Sequence, residues 1–138
     1  MTEPVWMLDT NTLSDLIRNP RGTLVQHLSS KAPDAVCTSI VVACELRFGA
    51  NRKGSEALTK RVEQLLASLP VLPLDDPADQ HYADIRTTLE RAGTPIGNND
   101  LFIAAHARSR GMTLVTHNMR EFERVLGLRV EDWLTAPA

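Results

Sequence analysis

Short apolar runs alternate with segments of helical period along this chain, and that alternation leaves few folds open. Val5-Trp6-Met7-Leu8 runs into Asp9, Ala35-Val36-Cys37-Thr38 into Ser39, and Thr113-Leu114-Val115-Thr116 into His117-Asn118. Val71-Leu72-Pro73-Leu74 and a stretch near Val130 complete the set. Runs this short and this continuously apolar read as buried parallel strands, with Pro73 arguing for an edge position. Between them lie helices. Thr12-Leu13-Ser14-Asp15 matches a capping box and opens a helix carrying Leu13, Leu16 and Ile17, broken at Asn19-Pro20. A second helix carries Leu24, Val25 and Leu28. Ser39 caps a helix from Ile40 that ends near Gly49, followed by a polar turn at Asn51-Arg52-Lys53-Gly54. Ser55 to Leu69 is helical, with Leu58, Val62, Leu65, Leu66 and Leu69 on one face. Asp76-Pro77 caps and starts a helix through Tyr82, Ile85 and Leu89 to Gly93. Glu121 to Leu126 forms a short last helix. Strands alternating with helices make this an α/β fold with a central, mainly parallel sheet flanked by helices. In such sheets ligands bind outside the carboxyl ends of the strands.

At 138 residues with no linker, repeat or low-complexity tract, the chain reads as one domain, 1–138, long enough for a real core. No apolar run approaches the roughly 20 residues that span a bilayer, and no basic-then-apolar leader opens the chain. Cys37 and Cys44, isolated thiols without metal spacing, fit a reducing cytoplasm. The net charge of −2 leaves no global nucleic-acid footprint, so a polyanion would be held by local arginines or through a cation.

Three acids stand out by context. Asp9 ends an apolar strand. Glu45 lies inside Val41-Val42-Ala43-Cys44-Glu45-Leu46. Asp100 opens an apolar helix that Asn98 or Asn99 can cap, with Leu101, Ala104, Ala105 and Arg108 at helical spacing. The remaining acids fall in polar surroundings, as in Asp75-Asp76 and Glu121-Phe122-Glu123. A carboxylate in the first turn of a helix is favoured by the dipole, but an unpaired buried charge costs several kcal/mol, and no Lys or Arg adjoins Asp100. Two readings stay open from the residues alone: three separately hydrogen-bonded acids, or a shared cation that lets crowded carboxylates remain ionised. Oxygen-only ligation would suit Mg²⁺ or Mn²⁺ rather than zinc. The histidines add little. His106 lies on the wrong face of the Asp100 helix to share a metal and reads as a core residue; His27 and His81 read as surface helix positions; His117 sits at a strand end beside Asn118. No Gly-x-Ser-x-Gly, phosphate-binding loop, dinucleotide turn or Cys-x-x-Cys is present.

Four segments stand in order: Met7-Leu8-Asp9-Thr10-Asn11, Ala43-Cys44-Glu45-Leu46-Arg47-Phe48-Gly49-Ala50, Ile96-Gly97-Asn98-Asn99-Asp100-Leu101-Phe102-Ile103-Ala104-Ala105-His106-Ala107, and Leu114-Val115-Thr116-His117-Asn118-Met119-Arg120-Glu121-Phe122. Together with the closing Val130-Glu131-Asp132-Trp133 they resemble, over nearly the whole chain, a PIN-domain ribonuclease of the VapC type, the toxin half of a bacterial toxin–antitoxin pair. The resemblance implies a Mg²⁺-dependent endoribonuclease, with Mn²⁺ able to substitute, acting on structured RNA and in the closest subgroup on tRNA in the anticodon stem-loop. It makes Asp9, Glu45 and Asp100 the metal-site acids and places Asn118 at a fourth position that is often Asp elsewhere in the fold. Thr10, Asn11, Arg47, Thr116 and Arg120 are expected to face the substrate, with Arg52 and Lys53 as further cations. It also implies a cytoplasmic toxin homodimer, no membrane, a VapB-type antitoxin in a higher-order hetero-oligomer, and operator DNA only through that antitoxin. The apolar faces of the helices after Asp9 (Leu13, Leu16, Ile17, Leu24, Leu28) and of Ser55–Leu69 are the candidate docking groove.

Rival classes fail on specific residues. A receiver domain needs a second acid beside the first strand and a lysine after the last core strand; Thr10-Asn11 and Thr116-His117-Asn118 supply neither. A haloacid-dehalogenase-type phosphatase needs Asp-x-Asp, and Asp9-Thr10-Asn11 fails at the third residue. A non-catalytic binding module leaves three acids in apolar contexts unexplained.

Overall fold

The computed structural model describes residues 3–134. Five strands, β1 (Trp6–Leu8), β2 (Val36–Ser39), β3 (Val71–Leu72), β4 (Thr113–Val115) and β5 (Val130–Glu131), form one sheet in the order β3-β2-β1-β4-β5. All four pairings are parallel. Seven α-helices connect them: α1 (Thr10–Arg18), α2 (Thr23–Ser29), α3 (Ile40–Lys53), α4 (Glu56–Ala67), α5 (Ala78–Arg91), α6 (Asn98–Ser109) and α7 (Met119–Phe122), with a single 3₁₀ turn at Pro33–Ala35.

The topology decides where a site can form. From β1 the chain builds outward to β2 and β3, then crosses back to β4 and β5 on the other side. The order therefore reverses between β1 and β4, and a crevice opens at their carboxyl ends. Leu8 is in register with Val115, so Asp9 and Thr116 emerge side by side. The central strands carry fully buried side chains, Met7 and Leu8 on β1 and Leu114 and Val115 on β4. Burial on both sheet faces is what selects unbroken apolar runs rather than alternation.

Several local expectations shift. The first helix starts at Thr10, not Thr12; its cap is Asp9, whose side chain accepts from the Thr12 amide. The second strand is Val36–Ser39, one residue later than the apolar run suggests. Gly49 does not end α3. The helix continues through Asn51-Arg52-Lys53 and closes at Gly54, which takes the left-handed conformation at φ 63°. Asp76 does not cap α5, and Pro77 stands at the cap position outside the helix rather than at its first turn. Neither Asn98 nor Asn99 caps α6; Gly97 does so without a side chain, and the two asparagines fill the first turn with Asp100. The last helix is the four residues Met119–Phe122, displaced from Glu121–Leu126. Val71–Leu72 is the edge strand that Pro73 called for.

Candidate active site

Each of the three singled-out acids is placed by a different device. Asp9 follows β1, and its amide donates to the Val115 carbonyl at 3.0 Å, which fixes the backbone against β4. Its Oδ1 accepts from the Thr12 amide at 3.0 Å, so one carboxylate both caps α1 and faces the crevice. It is only 4% exposed. Burial pushes its carboxyl above the ordinary range; hydrogen bonds from Thr116 and Thr12 pull it back, and the charge of Glu45 pushes it up again. Glu45 lies in mid-α3, half-buried. Its Oε1 accepts from the Thr10 hydroxyl at 2.5 Å and its Oε2 from the Asn99 amide at 3.3 Å. Asp100 stands in the first turn of α6. Its carboxyl is pushed up to about 8, first by burial, then by its hydrogen bond with Glu121 and that residue's charge, then by the charges of Glu45 and Asp9.

That last set of causes identifies a fourth acid that the sequence pattern does not single out. Glu121, in the first turn of α7, accepts from the Asn118 side-chain amide at 2.6 Å and from the Gly97 amide at 3.4 Å. It belongs with Asp100, not with the surface acids. The signal is the spacing Asn118-x-x-Glu121, which stacks the two side chains on one helical turn. Asn118 itself is half-buried; its backbone amide donates to the Thr116 hydroxyl at 3.0 Å.

The remaining expected site residues separate. Thr10 turns to Glu45. Thr116 is fully buried between Asp9 and Asn118. Asn11 and Arg120 are exposed near the crevice, on α1 and α7. Arg47 makes a two-point pair with Glu63 on α4, both distances 2.9 Å. Arg52 and Lys53 are exposed on the last turn of α3. Of the histidines, His106 is buried and its Nδ1 meets the Ser39 hydroxyl at 2.8 Å, tying α6 to the cap of α3; burial pushes its pKa down, so the ring stays neutral. His117 meets Asp132 at 3.0 Å. His27 and His81 are not plain surface positions. His27 stacks on Trp133 with ring centroids 5.8 Å apart, and His81 accepts from Arg108 at 2.8 Å.

Asp9, Glu45, Asp100 and Glu121 thus share one crevice, and among the described residues none of the four has an ion-pair partner. Glu45 and Glu121 are held by neutral donors instead. Among the described residues, no three His, Cys, Asp or Glu side chains converge closely enough to hold a metal ion as they stand. The chemistry of the donor set nevertheless fits a hard divalent cation: all oxygen, strongly negative, and, among the described residues, not neutralised by an ion pair with lysine or arginine.

Comparison with known proteins gives a single answer. The PIN domain family matches residues 6–128. The chain is 40% identical over 129 residues to the tRNA(fMet)-specific endonuclease VapC of Salmonella typhimurium, covering 93% of this chain and 97% of the relative. It is 36% identical over 130 residues to ribonuclease VapC2 of Haemophilus influenzae, covering 94% and 98%. Among solved structures it resembles DNA-bound VapBC from Salmonella typhimurium, with a TM-score of 0.86 and 40% identity over 94% of this chain and 98% of that one. VapBC2 from Rickettsia felis, bound to a DNA fragment from its promoter, gives a TM-score of 0.88 with 33% identity over 94% and 98%.

Proposed function

The chain belongs to the PIN domain family, as a VapC-type ribonuclease and the toxin of a toxin–antitoxin pair, and from that premise we propose that it is a Mg²⁺-dependent endonuclease of structured RNA. Mn²⁺ substitutes, and the substrate is a tRNA cut in its anticodon stem-loop. The observation that carries this reading is the crevice of four acids with no ion-pair partner among the described residues. Asp9, Glu45 and Asp100 would hold the cation, with Glu121 able to join them. When bound, the cation supplies an acidified water and neutralises charge at the scissile phosphate. The chain's own contribution is positional. Thr116 holds Asp9 and Asn118, and Asn118 holds Glu121. In-line attack by water then leaves a 5′-phosphate and a 3′-hydroxyl. No histidine takes part: His106 is buried in the core and His117 is bound to Asp132. The name of the Salmonella relative supports tRNA as the substrate class. Cleavage of purified tRNAs with Mg²⁺ and with chelator, read by the chemistry of the new ends, tests it.

The same reading takes in the partners. The VapBC structures that resemble this chain support a small antitoxin as its inhibitor, with operator DNA contacted through that partner. Leu24 is fully buried in this chain and unavailable to it, while Leu13, Leu16, Leu28, Leu65 and Leu69 line one groove. A second groove lies between α1, α3 and α4, lined by Ile17, Leu46, Leu58 and Val62, with Glu45, Arg18 and Lys53 on its wall. An antitoxin segment with apolar anchors and a cation aimed at Glu45 fits it. Exposed Ile40 and Phe48 on α3 and Phe102 on α6 offer an apolar face for a toxin homodimer. No helix among the described residues is long and apolar enough to cross a membrane. Co-expression with the neighbouring small open reading frame should restore growth and yield a stable complex; a monomeric, non-toxic chain that binds nothing encoded beside it would contradict this part.

A further inference from the structure

The two hydrogen bonds on Glu45 have a pattern. The side chain that grips Oε1 is Thr10, the residue directly after Asp9; the side chain that grips Oε2 is Asn99, the residue directly before Asp100. Glu45 is therefore lodged between two dipeptides, Asp9-Thr10 at the start of α1 and Asn99-Asp100 at the start of α6. Each dipeptide contributes one acid to the crevice and one neutral donor to Glu45.

The arrangement answers a physical difficulty. Asp9 and Asp100 have short side chains whose positions follow from the backbone, one as a helix cap and one in a first turn. Glu45 has a longer side chain, which loses more rotamer freedom on ordering. It starts from the interior of α3, beyond the first turn that the helix dipole favours. Left alone, like-charge repulsion from the two aspartates would turn it toward solvent. A lysine or arginine could restrain it but would cancel the negative potential of the crevice. A hydroxyl and an amide restrain it and leave its charge intact.

We propose that Thr10 and Asn99 are positioning residues that restrain the Glu45 carboxylate on the side of the crevice that Asp9 and Asp100 face, from which the three acids can close on a divalent cation. Thr10 then acts on Glu45 rather than on the RNA, since its one hydroxyl proton is spent on Oε1. The inference rests on the metal-dependent reading of the site and extends it to residues that touch neither cation nor substrate.

The test is Mn²⁺ titration by calorimetry on wild type, Thr10→Val, Thr10→Ser and Asn99→Ala. Binding of tRNA to each protein in metal-free buffer is the second readout, and melting curves confirm folding. Loss of a group that orients a metal ligand weakens metal binding by roughly 10- to 100-fold. Thr10→Val and Asn99→Ala should fall in that range, Thr10→Ser should restore the wild-type value, and tRNA affinity without metal should not change. If wild type binds Mn²⁺ and both variants bind it equally well, or lose only tRNA affinity, the positioning role is wrong while the metal reading stands. If wild type itself takes up no Mn²⁺, the metal reading fails and takes this inference with it.

Discussion

Asp100 ties stability to the chemistry of the crevice. Its carboxyl sits at about 8 against an ordinary value of 3.8, so the fold favours its protonated form. A group with a raised native pKa contributes fully to stability below its unfolded value, and that contribution is lost as pH rises through the native value. Asp9 is shifted the same way by burial. The metal-free protein should therefore melt at steadily lower temperature between about pH 4 and pH 8, and Asp100→Asn should flatten that decline. Mn²⁺ should reverse it in wild type, because ligation requires the ionised form and releases a proton. Differential scanning calorimetry across this range, with and without metal, checks both. A wild-type profile that rises toward pH 8 without metal would contradict the assignment.

Helix α3 shows how an element serves the site and why its end is hard to read. Gly49 lies in mid-helix, where glycine is unfavourable relative to alanine by about 0.5–1 kcal/mol, and an added Cβ there meets nothing within 4 Å. Gly49→Ala should stabilise the free toxin by about that amount. Gly54 is the real terminus at φ 63°, where a side chain costs about 1–2 kcal/mol, so Gly54→Ala should destabilise. Chemical denaturation of the two variants separates them by sign. The sequence offers two glycines five residues apart and no local signal for which one takes the left-handed conformation. The same ambiguity surrounds α1. A Thr-x-x-Asp pattern is present at Thr12, but tertiary packing against β4 makes Asp9 the cap.

At the scale of the whole molecule, RNA affinity has to come from local charge, since the chain is net negative. Arg47 is already engaged by Glu63, which leaves Arg52, Lys53 and Arg120 exposed around the crevice. The Arg52→Ala/Lys53→Ala double variant should lower the slope of log affinity against log salt by about 0.7 to 0.9 for each phosphate that the pair neutralises in wild type; an unchanged slope removes that pair from the interface. The parallel strands and the crevice at their carboxyl ends were legible in the sequence because buried parallel strands write themselves as short apolar runs, and because acids in apolar contexts are rare enough to notice; the strand order was not. Glu121 was not legible by that rule. Its context, Arg120-Glu121-Phe122-Glu123, is polar, and its partners come from Asn118, Gly97 and the start of α6, which only the fold brings together. The pairing of Arg47 with Glu63 was not legible for the converse reason: nearness to Glu45 in sequence does not say which way a helical side chain points.

The central claim is that this crevice of carboxylates cuts RNA through a divalent cation. It is tested most directly by incubating purified toxin, free of antitoxin, with tRNA and Mg²⁺, alongside chelator-treated protein and a folded Asp100→Asn variant. Wild type should produce discrete fragments with 5′-phosphate and 3′-hydroxyl ends, while the chelated enzyme and the variant should leave the tRNA intact. Cleavage that persists in chelator, or wild-type turnover by Asp100→Asn, would contradict it.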